Sequence, residues 1–129
     1  MLSSSSPIAF IATAVPERAR AFYADTLGLP LVSEDDFSIV FDLHGIALRI
    51  QKVRELQPQA FTALGWQVAD AAGTVAALRQ RGVAFERYPF LPQDEDDIWE
   101  APGGARIAWF KDPDGNLLSL TEVREQPGR

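Results

Sequence analysis

The sequence predicts an α+β fold made of two successive βαβββ modules, and three observations lead to this prediction. Segments of strand composition surround two helical segments, and the order of one strand, one helix and three strands occurs twice. Two glycines that end the predicted helices, Gly28 and Gly82, are separated by 54 residues. A repeat of this length indicates that one module does not bury its sheet alone, so the two modules are expected to pair.

The first module is predicted over residues 7–53. PIAFIATAV has the β-branched and aromatic content of a strand, and PERARAFYADTLG reads as a helix with Pro16 in its first turn. Gly28 ends that helix as a left-handed cap. The segments LPLVSE, FSIVFDL and IALRIQKV follow as three strands, with the turns DD and HG between them.

The second module is predicted over residues 61–123, after a linker at 54–60, and the whole chain, 1–129, is predicted to form a single domain. FTALGWQVA reads as a strand, and Asp70 is placed to cap the helix AAGTVAALRQR. VAFERYPF, ARIAWFKD and NLLSLTEV read as the remaining strands. A long acidic loop, LPQDEDDIWEAPGG, separates the first two of these.

Alternation within the strands predicts a sheet with two different faces. In IALRIQ, aliphatic side chains alternate with Ala47, Arg49 and Gln51, and in NLLSLT two leucines alternate with Ser119 and Thr121. The apolar set is expected to lie under the helices on the outer face. The mixed set is expected to line a cleft where the two modules pair into a curled mixed sheet.

Composition excludes several kinds of partner. Twelve basic and eighteen acidic residues give a net charge of -6, which argues against nucleic acid and against an anionic membrane surface. The chain has no cysteine, hence no disulfide or thiolate site. No apolar stretch is long enough to span a bilayer, and MLSSSSP lacks the features of a secretory signal. We therefore expect a cytoplasmic protein.

Three segments together carry a resemblance to a known family: RARAFYADTLGLPL, GWQVADAAGTVAALRQRGV and WFKDPDGNLLSL. In this order and spacing, and over residues 7 to 123, the chain resembles the vicinal oxygen chelate superfamily. That superfamily includes glyoxalase I, extradiol dioxygenases, fosfomycin-resistance enzymes and bleomycin-binding proteins. The resemblance implies the paired βαβββ fold and a homodimer.

The resemblance also implies where a metal site would lie. The enzymes of the family hold a divalent metal with His, Glu or Gln on four strands, and the matching positions here are Phe10, Arg49, Ala63 and Ser119. Phenyl and methyl groups have no lone pairs, guanidinium is cationic, and a serine hydroxyl is a poor ligand beside carboxylate or imidazole. We therefore predict no metal and no cofactor.

The residues that would bind a ligand in the cleft follow from the same alternation. Arg49 has two interpretations: it forms a salt bridge with an internal carboxylate such as Asp42 or Glu100, or it binds a carboxylate or phosphate of the ligand. Either Trp109 or its neighbour Phe110 must face the cleft, and Trp66 is expected in the core. The predicted ligand-binding set is Phe10, Arg49, Gln51, Ala63, Gly65, Gln67, Trp99, Phe110, Ser119 and Thr121.

The acidic loop leaves two roles open for its tryptophan. Trp99 follows the run DEDD, residues 94–97, which is expected to be a solvated surface. An aromatic side chain in such a loop either closes over a ligand or contacts a second copy of the chain.

These observations predict a metal-free small-molecule-binding protein of the glyoxalase and bleomycin-resistance type, with a small, partly aromatic ligand in its cleft. The alternative is an enzyme. Without a metal, it would use Arg49 to bind substrate charge and His44, or a carboxylate, as base. With a metal, it would be a lyase or oxidoreductase whose ligands lie at other positions. No catalytic residue is assigned, and the cleft is formed within one chain or across a dimer.

Overall fold

The computed structural model describes residues 1–124 and confirms the predicted α+β architecture. None of the helices within this range is long and apolar enough to cross a membrane. The first module contains β1 (Ile8–Thr13), α1 (Pro16–Ala21), β2 (Leu31–Glu34), β3 (Ser38–Leu43) and β4 (Ile46–Lys52), with a 3-10 turn at Leu2–Ser4 and a turn of π-helix at Phe22–Thr26. The second contains β5 (Thr62–Gln67), α2 (Ala71–Gln80), β6 (Trp99–Glu100), β7 (Arg106–Lys111) and β8 (Leu117–Glu122).

The two modules form sheets of the same topology. The first sheet has the order β1-β4-β3-β2 and the second has the order β5-β8-β7-β6. In each, the opening strand is parallel to the last strand of its module, and the remaining neighbours are antiparallel. Gly28 and Gly82 have φ values of 75° and 90° after the helical segments, which confirms the predicted left-handed ends.

The chain divides into two units of contacting residues. The first unit is 1–58 with 112–116, and the second is 59–111 with 117–124. The turn between β7 and β8 therefore belongs to the first unit, although both strands that it joins belong to the second.

In the first unit, the helical side of the sheet is the buried side. Tyr23, in the π-helical turn, is fully buried, and its ring packs on Phe41 of β3 with the ring centroids 6.0 Å apart. The other large buried side chains of this sheet are Ile11, Ile39, Leu48 and Ile50. Their burial on one face of the sheet supplies the hydrophobic stabilisation of this unit.

In the second unit, α2 covers one face of its sheet. Asp70 caps the helix as predicted, because its carboxylate accepts a hydrogen bond of 3.1 Å from the Gly73 amide. The guanidinium of Arg79, on α2, lies over the ring of Phe85, and Phe85 packs on Phe110 of β7. Phe110 is fully buried and stacks on Trp66, which places Trp66 on the helical side as predicted.

The prediction of a strand over VAFERYPF is wrong. Only Phe85 makes a bridge, to Phe110, and the fourth strand of this sheet is β6, from the predicted loop. The buried side chain of Gln93 explains the difference. Its amide oxygen accepts from the Tyr88 amide, and its Nε2 donates to the Glu86 carbonyl. Backbone groups that a neighbouring strand would pair are therefore bonded to this side chain.

A buried carboxylate organises the turn between β7 and β8. Asp112 accepts hydrogen bonds from the amides of Asp114 and Asn116 and from the Asn116 side chain, each at 2.9 Å. The Tyr23 hydroxyl donates to the same carboxylate at 2.7 Å. Burial raises the pKa of Asp112, and burial together with the Asp112 charge raises the pKa of Tyr23, so the phenol stays protonated.

Replacing Tyr23 with phenylalanine is expected to lower the free energy of unfolding by about 1–3 kcal/mol, because a buried carboxylate loses a donor. Urea unfolding measures this. Tyr88→Phe is the matched control, since the Tyr88 hydroxyl has no hydrogen-bond partner among residues 1–124, and it should stay within about 0.5 kcal/mol of the parent protein. Equal losses in the two variants would contradict a special role for the Tyr23 hydroxyl.

An ion cluster joins the first helix to the sheet. Arg20 binds both carboxylate oxygens of Glu34, at 2.6 and 2.7 Å, and the Lys52 ammonium approaches the same carboxylate at 2.8 Å. The hydrogen bonds from Arg20 and Lys52 lower the pKa of Glu34 from 4.5 to about 2.

This lowered pKa predicts a pH dependence of stability. The folded state keeps Glu34 ionised where the unfolded chain protonates it, so its contribution is complete above pH 4.5 and is lost as the pH falls towards about 2. Glu34→Gln should therefore flatten the acid side of a stability curve measured by thermal unfolding at low salt. Glu55→Gln, an exposed change outside the cluster, should follow the parent curve. A Glu34→Gln curve parallel to the parent would contradict this account.

Candidate functional site

Each sheet has one face that its helix does not cover, and the predicted ligand-binding residues other than Phe110 are divided between these two open faces. On the first sheet, Phe10 of β1 is paired in register with Arg49 of β4, and Gln51 lies two residues further along β4. All three are exposed, and Phe10 is 53% exposed. The alternation predicted for this strand is therefore present.

Arg49 has no ion pair within the described part of the first unit. A bridge to Asp42, one of the two interpretations of Arg49, is not among these ion pairs; the Asp42 carboxylate accepts from the Gly45 amide at 3.1 Å. Glu100, the other predicted partner, lies on β6 opposite Arg106. Hydrogen bonds from two backbone amides lower the pKa of Asp35. The charges of Lys52 and Arg49 lower it further by a smaller amount.

His44 is an exposed turn residue. It has a positive φ of 53° in the turn between β3 and β4 and is followed by Gly45 with φ 100°. Histidine is among the residues that adopt this backbone conformation more often than most, which gives it a structural reason to be here. No hydrogen bond among residues 1–124 orients its ring as a general base requires.

On the second sheet, one row of the open face crosses three strands. Ser119 of β8 is in register with Trp109 of β7 on one side and with Gly65 of β5 on the other. An irregularity of β5 between Thr62 and Leu64 shifts its register by one residue, and beyond it the neighbour of Ser119 is Gly65. Ala63 is exposed on the preceding part of the strand.

Gly65 and Ser119 are matched to one another. A Cβ atom added to Gly65 would lie 2.5 Å from the Ser119 hydroxyl oxygen, so the hydroxyl occupies the space of the missing side chain. Ser119 is 8% exposed, and no other residue among 1–124 makes a hydrogen bond with its hydroxyl. Every fully buried side-chain nitrogen or oxygen in that range has a partner, so the Ser119 oxygen must be reached by solvent.

Four aromatic side chains lie next to this row and are called here the aromatic platform: Tyr88, Phe90, Trp99 and Trp109. The Trp99 and Trp109 rings are stacked, with centroids 6.2 Å apart and an interplanar angle of 27°. Tyr88 meets Trp109 edge to face at 5.6 Å and packs on Phe90 at 5.4 Å. Stacked and edge-to-face pairs of this kind are favourable arrangements of aromatic rings.

The aromatic platform changes the predicted ligand-binding set: one predicted residue is removed from it and three others are added. Phe110 is on the covered face, so Trp109 is the member of that pair on the open face. Tyr88 and Phe90 were missed because the segment that contains them was interpreted as a strand. Trp109 alternates with the buried Ala108 and Phe110 and stands opposite Ser119, and this register decides which of the two aromatic neighbours faces outward.

The open face of the second sheet is electrically neutral apart from one ion pair at its end. Gln67 and Thr121 face each other across β5 and β8 and carry no charge. Lys111, at the end of β7, is 3.3 Å from Glu86. Burial, with the Glu86 charge, raises the pKa of Tyr88, so the phenol is uncharged near neutral pH.

The acidic run 94–97 is exposed at Asp94 and Glu95, in line with the prediction of a solvated surface, and it is also held by specific contacts. Asp97 binds Arg79 and Arg87, each at 2.7 Å, and Asp94 accepts from the amides of Asp96 and Ile98. The Ile98 side chain is buried. These contacts hold the backbone directly before Trp99 and so set the position of that ring.

The positions at which the resemblance implied a metal do not supply suitable donors. Phe10 and Arg49 are a hydrocarbon and a cation on the first sheet, and Ala63, Gly65 and Ser119 offer one hydroxyl on the second. No group of three or more His, Asp or Glu side chains within residues 1–124 is arranged to hold a metal ion. The residues present do not fit a divalent metal of the type that the enzymes of the resembled family hold.

The repeated topology defines a class of α+β proteins built from two βαβββ modules, and the comparison with family models assigns the chain within it. The chain belongs to the Glyoxalase/Bleomycin resistance protein/Dioxygenase superfamily, whose model matches residues 7–120. This confirms the resemblance inferred from the sequence. No curated protein matches the chain.

Solved structures show the same fold at low sequence identity. A superfamily member from Sphaerobacter thermophilus DSM 20745 superposes with a TM-score of 0.75 and 23% identity, over 95% of this chain and 100% of that one. A glyoxalase/bleomycin resistance protein/dioxygenase from Alicyclobacillus acidocaldarius has values of 0.71 and 20%, over 95% and 93%. A lactoylglutathione lyase from Agrobacterium tumefaciens has values of 0.70 and 16%, over 92% and 93%.

Asp97→Asn is expected to loosen the loop that holds Trp99, because it weakens two ion pairs at once. We expect the free energy of unfolding to fall by roughly 1 kcal/mol and amide exchange over residues 94–99 to accelerate. Asp96→Asn is the matched control, since Asp96 makes one longer contact of 3.3 Å with Arg79. Unchanged exchange in Asp97→Asn would show that the ion pairs do not position the loop.

Proposed function

We propose that the protein binds a small, partly aromatic molecule without a metal ion, on the open face of its second sheet. The observation that carries this proposal is the aromatic platform beside Ser119, because two tryptophans are held on a sheet face that no helix covers. Aromatic side chains together with a few polar groups that fix orientation are the usual lining of small-molecule sites.

Several features of the face support stacking as the main source of affinity. Trp99 and Trp109 are half-buried, so each leaves part of its ring for a ligand. Phe90 is 76% exposed at the edge of the platform and would extend the apolar surface. A planar ring stacked on such side chains gains about 1–3 kcal/mol per ring in comparable cases.

The proposal of binding without a metal rests on the donors. Ser119 is the one polar side chain at the positions inferred for metal ligands on the second sheet, and a lone hydroxyl does not hold a divalent ion. The proposal of binding without catalysis rests on His44, which lies exposed in a turn and lacks an orienting partner among residues 1–124. The homodimer and the cytoplasmic location stay predictions.

The aromatic site is tested by calorimetric titration of planar aromatic compounds that include cationic, anionic and uncharged members. We expect saturable binding of at least one compound and a loss of roughly 10-fold in affinity in Trp109→Leu, because the stacking ring is removed. Trp66→Phe is the control, since Trp66 lies on the covered face, and its affinity should be unchanged. Equal binding by Trp109→Leu and the parent protein would place the site elsewhere.

The absence of a metal requirement is tested separately by thermal unfolding of dialysed protein with Mg²⁺, Mn²⁺, Fe²⁺, Ni²⁺ or Zn²⁺. A ligand that binds the native state raises the midpoint with concentration, so no saturable rise is expected. A saturable rise that a chelator reverses would favour the metal-dependent enzyme.

A further inference from the structure

We infer that Gly65 and Ser119 form a notch that determines specificity: it receives an uncharged hydrogen-bonding edge of a planar ligand that stacks on Trp109. A lactam, a carbonyl or a hydroxyl group on a flat ring has this chemistry. The inference rests on the proposed function and names the class of ligand that the same face takes.

The shape of the notch follows from three neighbouring positions in one row. Gly65 contributes no side chain, Ser119 contributes a short hydroxyl that leans over Gly65, and Trp109 rises on the other side of Ser119. A ring that lies on Trp109 can therefore bring its edge down to the hydroxyl. Any larger residue at position 65 would displace the hydroxyl, since its Cβ alone would lie 2.5 Å from the Ser119 oxygen.

The hydroxyl is available to a ligand. It has no hydrogen-bond partner among residues 1–124, yet its residue is more than nine-tenths buried. A hydroxyl group both donates and accepts, so it pairs equally well with a carbonyl oxygen or with an N–H. A ligand that displaces water from this hydroxyl without replacing the hydrogen bond pays a desolvation free energy. Ligands that supply a hydrogen-bond partner are therefore favoured.

The charges around the notch select against ions. Lys111, on β7, is paired with Glu86, and Glu122, on β8, accepts from the Ala71 amide and pairs with Arg124. The acidic loop before β6 is paired as well, through Asp97 and its two arginines. An ionic ligand would lose hydration here without gaining a counter-charge from these paired groups, whereas a neutral ligand has no charge to desolvate.

Three flat probes of similar size separate these possibilities: quinolin-2(1H)-one is uncharged with a lactam edge, N-methylquinolinium is a cation, and quinoline-2-carboxylate is an anion. Heteronuclear NMR titration of labelled protein measures each affinity and reports on the Trp109 indole and the Gly65 amide. We expect the lactam to bind at least 10-fold more tightly than either ion. Ser119→Ala should weaken the lactam roughly 2- to 10-fold, the range for one neutral hydrogen bond.

Gly65→Ala is the second variant, since it displaces the Ser119 hydroxyl without removing it. It should lower the affinity for the lactam in the same way. The two ions should bind both variants as they bind the parent protein. Equal binding of all three probes, or an unchanged lactam affinity in Ser119→Ala, overturns the inference and leaves aromatic binding intact. Failure of every probe to shift the Trp109 signal overturns the proposed function as well.

Discussion

The carboxylate of Asp112 is the group on which the geometry of the candidate site depends. It accepts hydrogen bonds from two backbone amides and one side-chain amide of its own turn, and the Tyr23 hydroxyl donates to it from the first module. These hydrogen bonds hold the turn between β7 and β8 in a single conformation with a defined number of residues. Since side chains alternate between faces, the length of that turn decides which residues of both strands share a face.

A shift of one residue in this register would exchange the two faces. Trp109 would turn under α2, and the buried Phe110 would take its place on the open face. Ser119 would be replaced by Leu118 or Leu120, both of which are buried against the helical side. A shifted register would expose those leucines and would break the hydrogen bonds of the Asp112 turn. Both changes cost free energy, so the observed register is strongly specified.

The two modules share a backbone topology but have diverged in what their open faces present. The first has Phe10 beside Arg49, both exposed, and the second has Gly65 and Ser119 beside stacked tryptophans. The difference is greatest in the loop before β6, for which the first module has no counterpart of the same length. In that loop Gln93 and Asp97 replace regular strand pairing by side-chain contacts, and so hold an aromatic ring in place before any ligand arrives. A site ordered in advance loses less entropy on binding.

The sequence by itself determined the duplicated topology, both helices with their caps at Asp70, Gly28 and Gly82, and the alternation that separates Arg49 and Ser119 from the core, because these depend on local propensity and period. It did not determine which of Trp109 and Phe110 faces outward, which residue stands beside Ser119, or how the acidic loop is held. Those outcomes depend on the length of one turn, on an irregularity in β5, and on long-range contacts of Gln93 and Asp97. Only the tertiary structure decides them, since each requires groups distant in sequence to meet before its hydrogen bonds can form.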